Sequence, residues 1–272
     1  MASIKLKEYQ DQLAALFLII VTITFLIIPV KLPVKVTDPT IAFYDTIEAI
    51  PAGGVVLYEE ATMIMNWFTN GQTSISALRH IVERIKSDGI KLVLYCCFDV
   101  SGFLGMQKMV GSGLFDELNY GEDWVYLGYI PGWETTLAAM REDIRSVITV
   151  DYYGTPLDDL PLMRGVNKLT DFSLLVMASN TSLDPWMRQW FGKGVPILMI
   201  HGIGAAPTLH VFVENKQIEG YVTPIKQTAE YESLTGIIGL GTLFSSVQAL
   251  SMIYVIMVVI AANIVYWGRK EK

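Results

Sequence analysis

Cysteine is almost absent from the 272 residues, and the two present, Cys96 and Cys97, stand side by side in "KLVLYCCF". A small secreted domain held by disulfides shows spaced, even-numbered cysteines, so that framework is excluded. The pair also lacks C-x-x-C spacing and reads as small apolar side chains in a buried strand, with a redox role left open. Histidine is equally scarce: His80, His201 and His210 form no i, i+4 pair and no zinc-type spacing. The acid clusters Glu59-Glu60, Glu122-Asp123 and Asp158-Asp159 lack the spaced oxygen ligands of a calcium loop. No metal and no cofactor is expected. Bases are outnumbered, 20 against 27 acids, for a net charge of −7. Such a balance offers no footprint for nucleic acid phosphates. There is no fixed-period repeat and no low-complexity segment.

Charge is missing altogether from two long stretches near the ends. Residues 12–30, "QLAALFLIIVTITFLIIPV", and residues 236–268 carry none, and the mean hydropathy of the whole chain is +0.41. About 20 apolar residues suffice to cross a bilayer. The first run is long for a signal-peptide core, and Pro29-Val30-Lys31 follows it where small residues would mark cleavage. An uncleaved anchor is therefore expected at 12–30. The second run exceeds a minimal span, so residues 236–268 are expected to form a long helix that includes a second crossing. Arg269, Lys270 and Lys272 follow it, which places the tails 1–11 and 269–272 in the cytoplasm and residues 31–235 outside the cell membrane. This two-pass layout implies the lipid bilayer as a partner. The outer region holds 15 bases against 24 acids, a net charge of −9.

That region alternates between strand and helix patterns. Residues 53–61, 90–98, 123–130, 172–178 and 195–202 read as strands. Residues 74–87, with apolar Ile75, Leu78, Ile81, Val82 and Ile85, read as a helix stopped by Asp88-Gly89. Further helices are expected over 104–118, 135–148 and 186–191. The predicted fold is α/β: a mainly parallel sheet of about five strands with helices on both faces and right-handed crossovers, flanked by one N-terminal and one C-terminal transmembrane helix. The continuous apolar run of 90–98 suits a strand buried on both faces, and 123–130 is taken as another central strand.

Ligands of open α/β sheets bind beyond the carboxyl ends of the strands. In "NYGEDWVYLGYIPGWE" (119–134) that edge would hold Tyr129, Trp133 and Glu134, with Thr135 or Glu134 opening the next helix. The same edge should collect Glu59, Asp99, Ser101 and His201. Asp99, Ser101 and His201 are the residue types of a hydrolase triad, yet "DVSGF" lacks the first glycine of a nucleophile elbow. "GIGAAP" (202–207) resembles part of a dinucleotide fingerprint but has proline at the third glycine, and reads better as a turn opening a helix. Asn180-Thr181-Ser182 fits a glycosylation acceptor. In the last hydrophobic run Gly241, Ser245 and Ala249 recur every four residues, a face of small side chains that lets another helix come close. Gln248, Ser251 and Asn263 add polar groups to the same run.

At "YGEDWVYLGYIPG", "DYYGTPLDDLPLM" (151–163) and "AEYESL" (229–234) the chain resembles a family of prokaryotic membrane-anchored α/β proteins. The resemblance implies a terminal anchor and an α/β domain, and brings no catalytic residue with it. The functional expectation is an assembly or interaction subunit of a membrane complex, associating with itself or with other membrane proteins. Alternatives are a ligand-binding or sensory domain using the carboxyl edge, and a hydrolase-like enzyme.

Overall fold

The computed structural model describes residues 10–27 and 33–270. Five strands fall where the apolar runs predict them: β1 (Val55–Ala61), β2 (Lys91–Cys96), β3 (Trp124–Tyr129), β4 (Leu174–Ser179) and β5 (Ile197–His201). A sixth, β6 (Gly220–Val222), was not expected, because three residues of "GYV" carry no readable alternation. All neighbours pair in parallel, in the order β3-β2-β1-β4-β5-β6. This is the doubly wound, Rossmann-like order, which reverses direction between β1 and β4.

The order corrects one expectation: β3 is an edge strand rather than a central one. Its apolar run arises because the exposed edge is covered. The Tyr152 N–H donates to the Tyr126 carbonyl at 2.9 Å, so the loop after residue 148 lies along the strand and caps it.

Between the strands run α3 (Gln72–Asp88), α4 (Val100–Val110), α5 (Glu134–Glu142), α6 (Asp184–Trp190) and α7 (Ala206–Glu214). The predicted 74–87 helix is seen as α3, and Gly89, at φ 67°, ends it in the left-handed region. The predicted 104–118 helix starts earlier and stops at Val110, where Gly111 begins a series of turns. Ahead of β1 lies α2 (Asp38–Glu48), and after β6 comes α8 (Lys226–Thr235). Each sheet face buries its own core. Leu57, Tyr95, Val125 and Trp186 belong to one; Tyr58, Leu94, Phe43 and Ile81 belong to the other.

Two helices stand apart from the sandwich: α1 (Gln10–Ile27) and α9 (Leu240–Lys270). Among the described residues one helical stretch, Leu240–Asn263, is long and apolar enough to cross a membrane. The N-terminal span expected at 12–30 is not shown. The apolar part of α1 covers Gln12–Thr24, about 20 Å of helix against roughly 30 Å of hydrocarbon. Residues 28–32 lie outside the described residues, as do Lys5, Lys7 and Lys272. The two helices pack antiparallel. Phe17 meets Tyr254 with ring centroids 5.2 Å apart, the Tyr254 hydroxyl donates to the Ala14 carbonyl at 3.2 Å, and the Thr22 and Ser251 hydroxyls lie 3.5 Å apart.

Candidate functional site

The reversal between β1 and β4 is where a doubly wound sheet opens a crevice for ligands. Here two loop-to-loop hydrogen bonds close it. Asn70 donates to the Ser179 carbonyl at 2.9 Å, and the Met63 N–H donates to Asn180 Oδ1 at 2.8 Å. The segment between β1 and α3 contains no glycine before Gly71. It forms a 3-10 turn (Ile64–Asn66) that runs into a π-helical turn (Trp67–Gly71). Trp67 packs between this turn and α4, so tightly that a Cβ on Gly105 would lie 2.4 Å from its ring. The glycine-rich phosphate cradle of a dinucleotide site is therefore missing.

At the carboxyl end of β1, Glu59 and Glu60 point to opposite faces, as neighbours on a strand must. Both are fully buried. Glu59 accepts from the Tyr95 hydroxyl at 2.8 Å, from the Cys97 thiol at 3.1 Å and from the Trp186 indole N–H. Glu60 accepts from the Ser74 hydroxyl and from the Thr62 N–H at 2.9 Å. Neither carboxylate has a basic partner among the described residues. Burial raises both pKa values against these hydrogen bonds, that of Glu60 to about 7. Burial likewise pushes the Cys96 thiol up to about 12 and the Cys97 thiol higher, so neither is a nucleophile at neutral pH.

The other predicted edge residues are held by local partners. Asp99 caps α4, accepting from the Ser101 N–H at 2.5 Å. His201 Nε2 lies 2.7 Å from the Thr181 carbonyl. It sits on β5, three strands from β2, and roughly 14 Å of sheet separates it from Asp99 and Ser101 at about 4.8 Å per strand. The three form no triad. Glu134 opens α5 and pairs with Arg188 at 2.7 and 2.9 Å and with Gln189 at 3.0 Å. The Arg188 hydrogen bonds pull its pKa down to about 2. Trp133, half-buried at φ 44°, rests its ring edge-on against Phe98 at 4.8 Å, with Trp186 beyond at 6.3 Å. Tyr129 is half-buried beside Phe103. Asn180 is half-buried, with its Oδ1 accepting the Met63 N–H.

Two clusters that the sequence marked only as resemblance motifs, with no role assigned to their residues, are more developed. The first is α8. Glu230 accepts from the Thr37 N–H at 2.9 Å, its hydroxyl at 2.6 Å and the Thr40 hydroxyl at 3.1 Å, gripping the start of α2. Two residues on, Glu232 accepts from the Gly241 N–H at 3.1 Å and the Thr242 N–H at 2.7 Å, which are orphan donors of the first turn of α9. It also accepts from Ser76 of α3 at 2.8 Å. Between them Tyr231 is buried with its hydroxyl 2.6 Å from His80 Nδ1, and His80 Nε2 meets Glu48 at 2.6 Å. "AEYE" thus ties the N-termini of α2 and α9 to α3. A carboxylate at a helix N-terminus also complements the dipole there. The only sequence signal was two acids flanking a tyrosine just before a charge-free run.

The second cluster is the "DYYG" loop. Buried Asp151 accepts from the Tyr153 N–H at 2.9 Å, the Thr155 N–H at 2.7 Å and the Tyr120 hydroxyl at 2.5 Å. The locked loop displays Val150, Tyr152 and Tyr153, the last 57% exposed, over an aromatic bed of Tyr120, Tyr126 and Phe103.

Along α9, Gly241 faces the chain's own domain: a Cβ there would lie 2.4 Å from Thr228 Cγ2 of α8. Asn263 returns its amide to the Val259 carbonyl at 2.8 Å. Ser245, Gln248 and Ala249 line an open groove of about 660 Å³ together with Asn66, Thr69 and Ile203 from the carboxyl edge. No group of three or more metal-ligating side chains occurs among the described residues.

Comparison with known proteins adds no family: no protein-family model and no curated protein matches the chain. A solved structure similar to it is the crystal structure of AibC, at 14% identity and a TM-score of 0.33, with 82% of this chain matched to 53% of that one. The chain thus spans about half the length of that structure, and a TM-score so low carries no argument for function.

Proposed function

We propose that this protein is a membrane-anchored α/β module that works by association, as an assembly or interaction subunit of a membrane complex. The observation that carries the reading is the loop at Asp151. It presents two tyrosines and a valine on a rigid base, and rigid exposed aromatics are the residues that dominate recognition surfaces. The acidic groups of the carboxyl edge are engaged internally and the β1–β4 crevice is closed, which favours association over the ligand-binding and hydrolase alternatives. In this reading α1 and α9 cross the bilayer as an antiparallel pair, both termini are cytoplasmic, and the domain lies outside. Their antiparallel packing supports it, as do Arg269 and Lys270 at the end of α9.

The test is native mass in mild detergent. Tyr153→Ala should weaken association by about 2 kcal/mol or more, roughly thirtyfold, with an unchanged melting temperature. An unchanged assembly would overturn the reading. For topology, an impermeant thiol reagent on intact cells should label Lys193→Cys, at an exposed turn, and leave Lys272→Cys unlabelled. The reverse pattern would refute the orientation.

A further inference from the structure

Charge marks the amino ends of β2 to β6 and, as Asp99, Glu134 and Asp184, the segments that follow β2, β3 and β4. Turns leading into the strands carry Asp88 and Lys91, Glu122 and Asp123, Lys168 and Asp171, Lys193, and Lys216 and Glu219. Beyond the carboxyl ends of β1 and β5 the pattern inverts. Residues 61–78 contain no charge, and neither do residues 202–209. Their outward side chains are large and apolar: Met65 is 79% exposed, Phe68 72%, Ile203 69% and Ile64 53%. Val100 and Leu104 of α4, which packs on the same turn, are also exposed. Charge-free loops with apolar tips are an unusual surface to offer water.

Their position supplies the partner. Asn66, Thr69 and Ile203 share one groove with Ser245, Gln248, Ala249 and Met252 of α9. Counting about 20 residues back from Arg269 puts the point where α9 enters the hydrocarbon near Ala249. The apolar tips therefore stand level with the membrane surface, beside the helix that crosses it. We infer that the carboxyl edge of the sheet is seated on the bilayer, with Ile64, Met65, Phe68 and Ile203 inserted at the headgroup–acyl boundary and lipid filling the groove against α9. The inference rests on α9 crossing the membrane, and it makes the end of the fold that usually receives soluble ligands a lipid-facing surface.

Full-length protein, one copy per phosphatidylcholine nanodisc, would carry an environment-sensitive fluorophore on a single introduced cysteine: Met65→Cys, Phe68→Cys, Ala52→Cys at the opposite edge, or Met257→Cys within α9. The native cysteines are buried. Labels at 65 and 68 should resist aqueous iodide several-fold better than the label at 52, and should be quenched by doxyl-labelled lipid. If 65 and 68 behave like 52 while 257 is quenched by lipid, the seating is refuted and the membrane span stands. If 257 also escapes lipid quenching, the span and the seating fall together. If protection at 65 and 68 appears only in discs holding two copies, the surface belongs to a second chain and the inference is overturned.

Discussion

Glu60 is a carboxylate in the middle of a parallel sheet, with a serine and a backbone amide as partners. Burial holds its pKa near 7, above the ordinary 4.5. Between those values the unfolded chain has released the proton and the folded chain still binds it. Stability is therefore full at low pH and falls as pH rises towards 7, by roughly 3 kcal/mol. Glu60→Gln should remove this slope, so the melting temperature of the variant relative to the parent should climb between pH 5 and 7.5 and level off above. His80 acts in the opposite sense. Its pKa is lowered by burial, so it contributes stability that is lost as pH falls, and comparing parent with variant cancels it. Tyr126 offers a second test. Its ring is fully buried and its hydroxyl has no hydrogen-bond partner among the described residues, so Tyr126→Phe should be neutral or stabilising by about 1 kcal/mol in thermal melts. Trp133→Ala should lower stability in thermal melts, because its ring packs against Phe98 and Trp186.

Helix α8 is polar in composition, yet Glu230, Tyr231 and Glu232 are all buried. Its acids each hold the start of another helix. Glu232→Ala should leave the Gly241 and Thr242 amides without acceptors and lower stability by about 2–3 kcal/mol, with faster amide exchange at those two positions. Unchanged exchange there would show that Glu232 does not hold α9. The contrast with α3 shows what periodicity can and cannot convey. Ile75, Leu78, Ile81, Val82 and Ile85 name a helix and its buried side, because burial of apolar area is local and repeats every turn. A carboxylate that grips a helix nine residues on, or Thr37 nearly two hundred residues back, leaves no repeat to read. The small-residue stripe had the same limit. Gly241 does permit a close approach, as the stripe implies, but the approaching surface is Thr228 of the same chain. The long apolar strands were legible; β6, with three residues and Gly220 pressed against the backbone of Phe43, was not.

At the scale of the whole molecule, class and parallel sheet were readable from the alternation of runs, while strand order was not, since order depends on pairings between distant segments. Glu59, Asp99, Glu134 and His201 stand near the carboxyl ends of their strands, but partners such as Trp186 and Arg188 of α6 come from distant segments that sequence could not align. The helix pair has one more implication, for the order of assembly. Thr22 and Ser251 are 229 residues apart. Bringing two such points together in a disordered chain costs about 5 kcal/mol in closure entropy, more than a few interhelical contacts return. Once the domain has folded, α8 already holds the start of α2 and the start of α9 on one side of the sheet. Most of the loop has then ceased to be a loop, and little closure remains for the helices. The pairing of α1 with α9 is in this sense templated by the sheet: once the α/β domain has folded, α9 docks on a partner already held beside its anchor point.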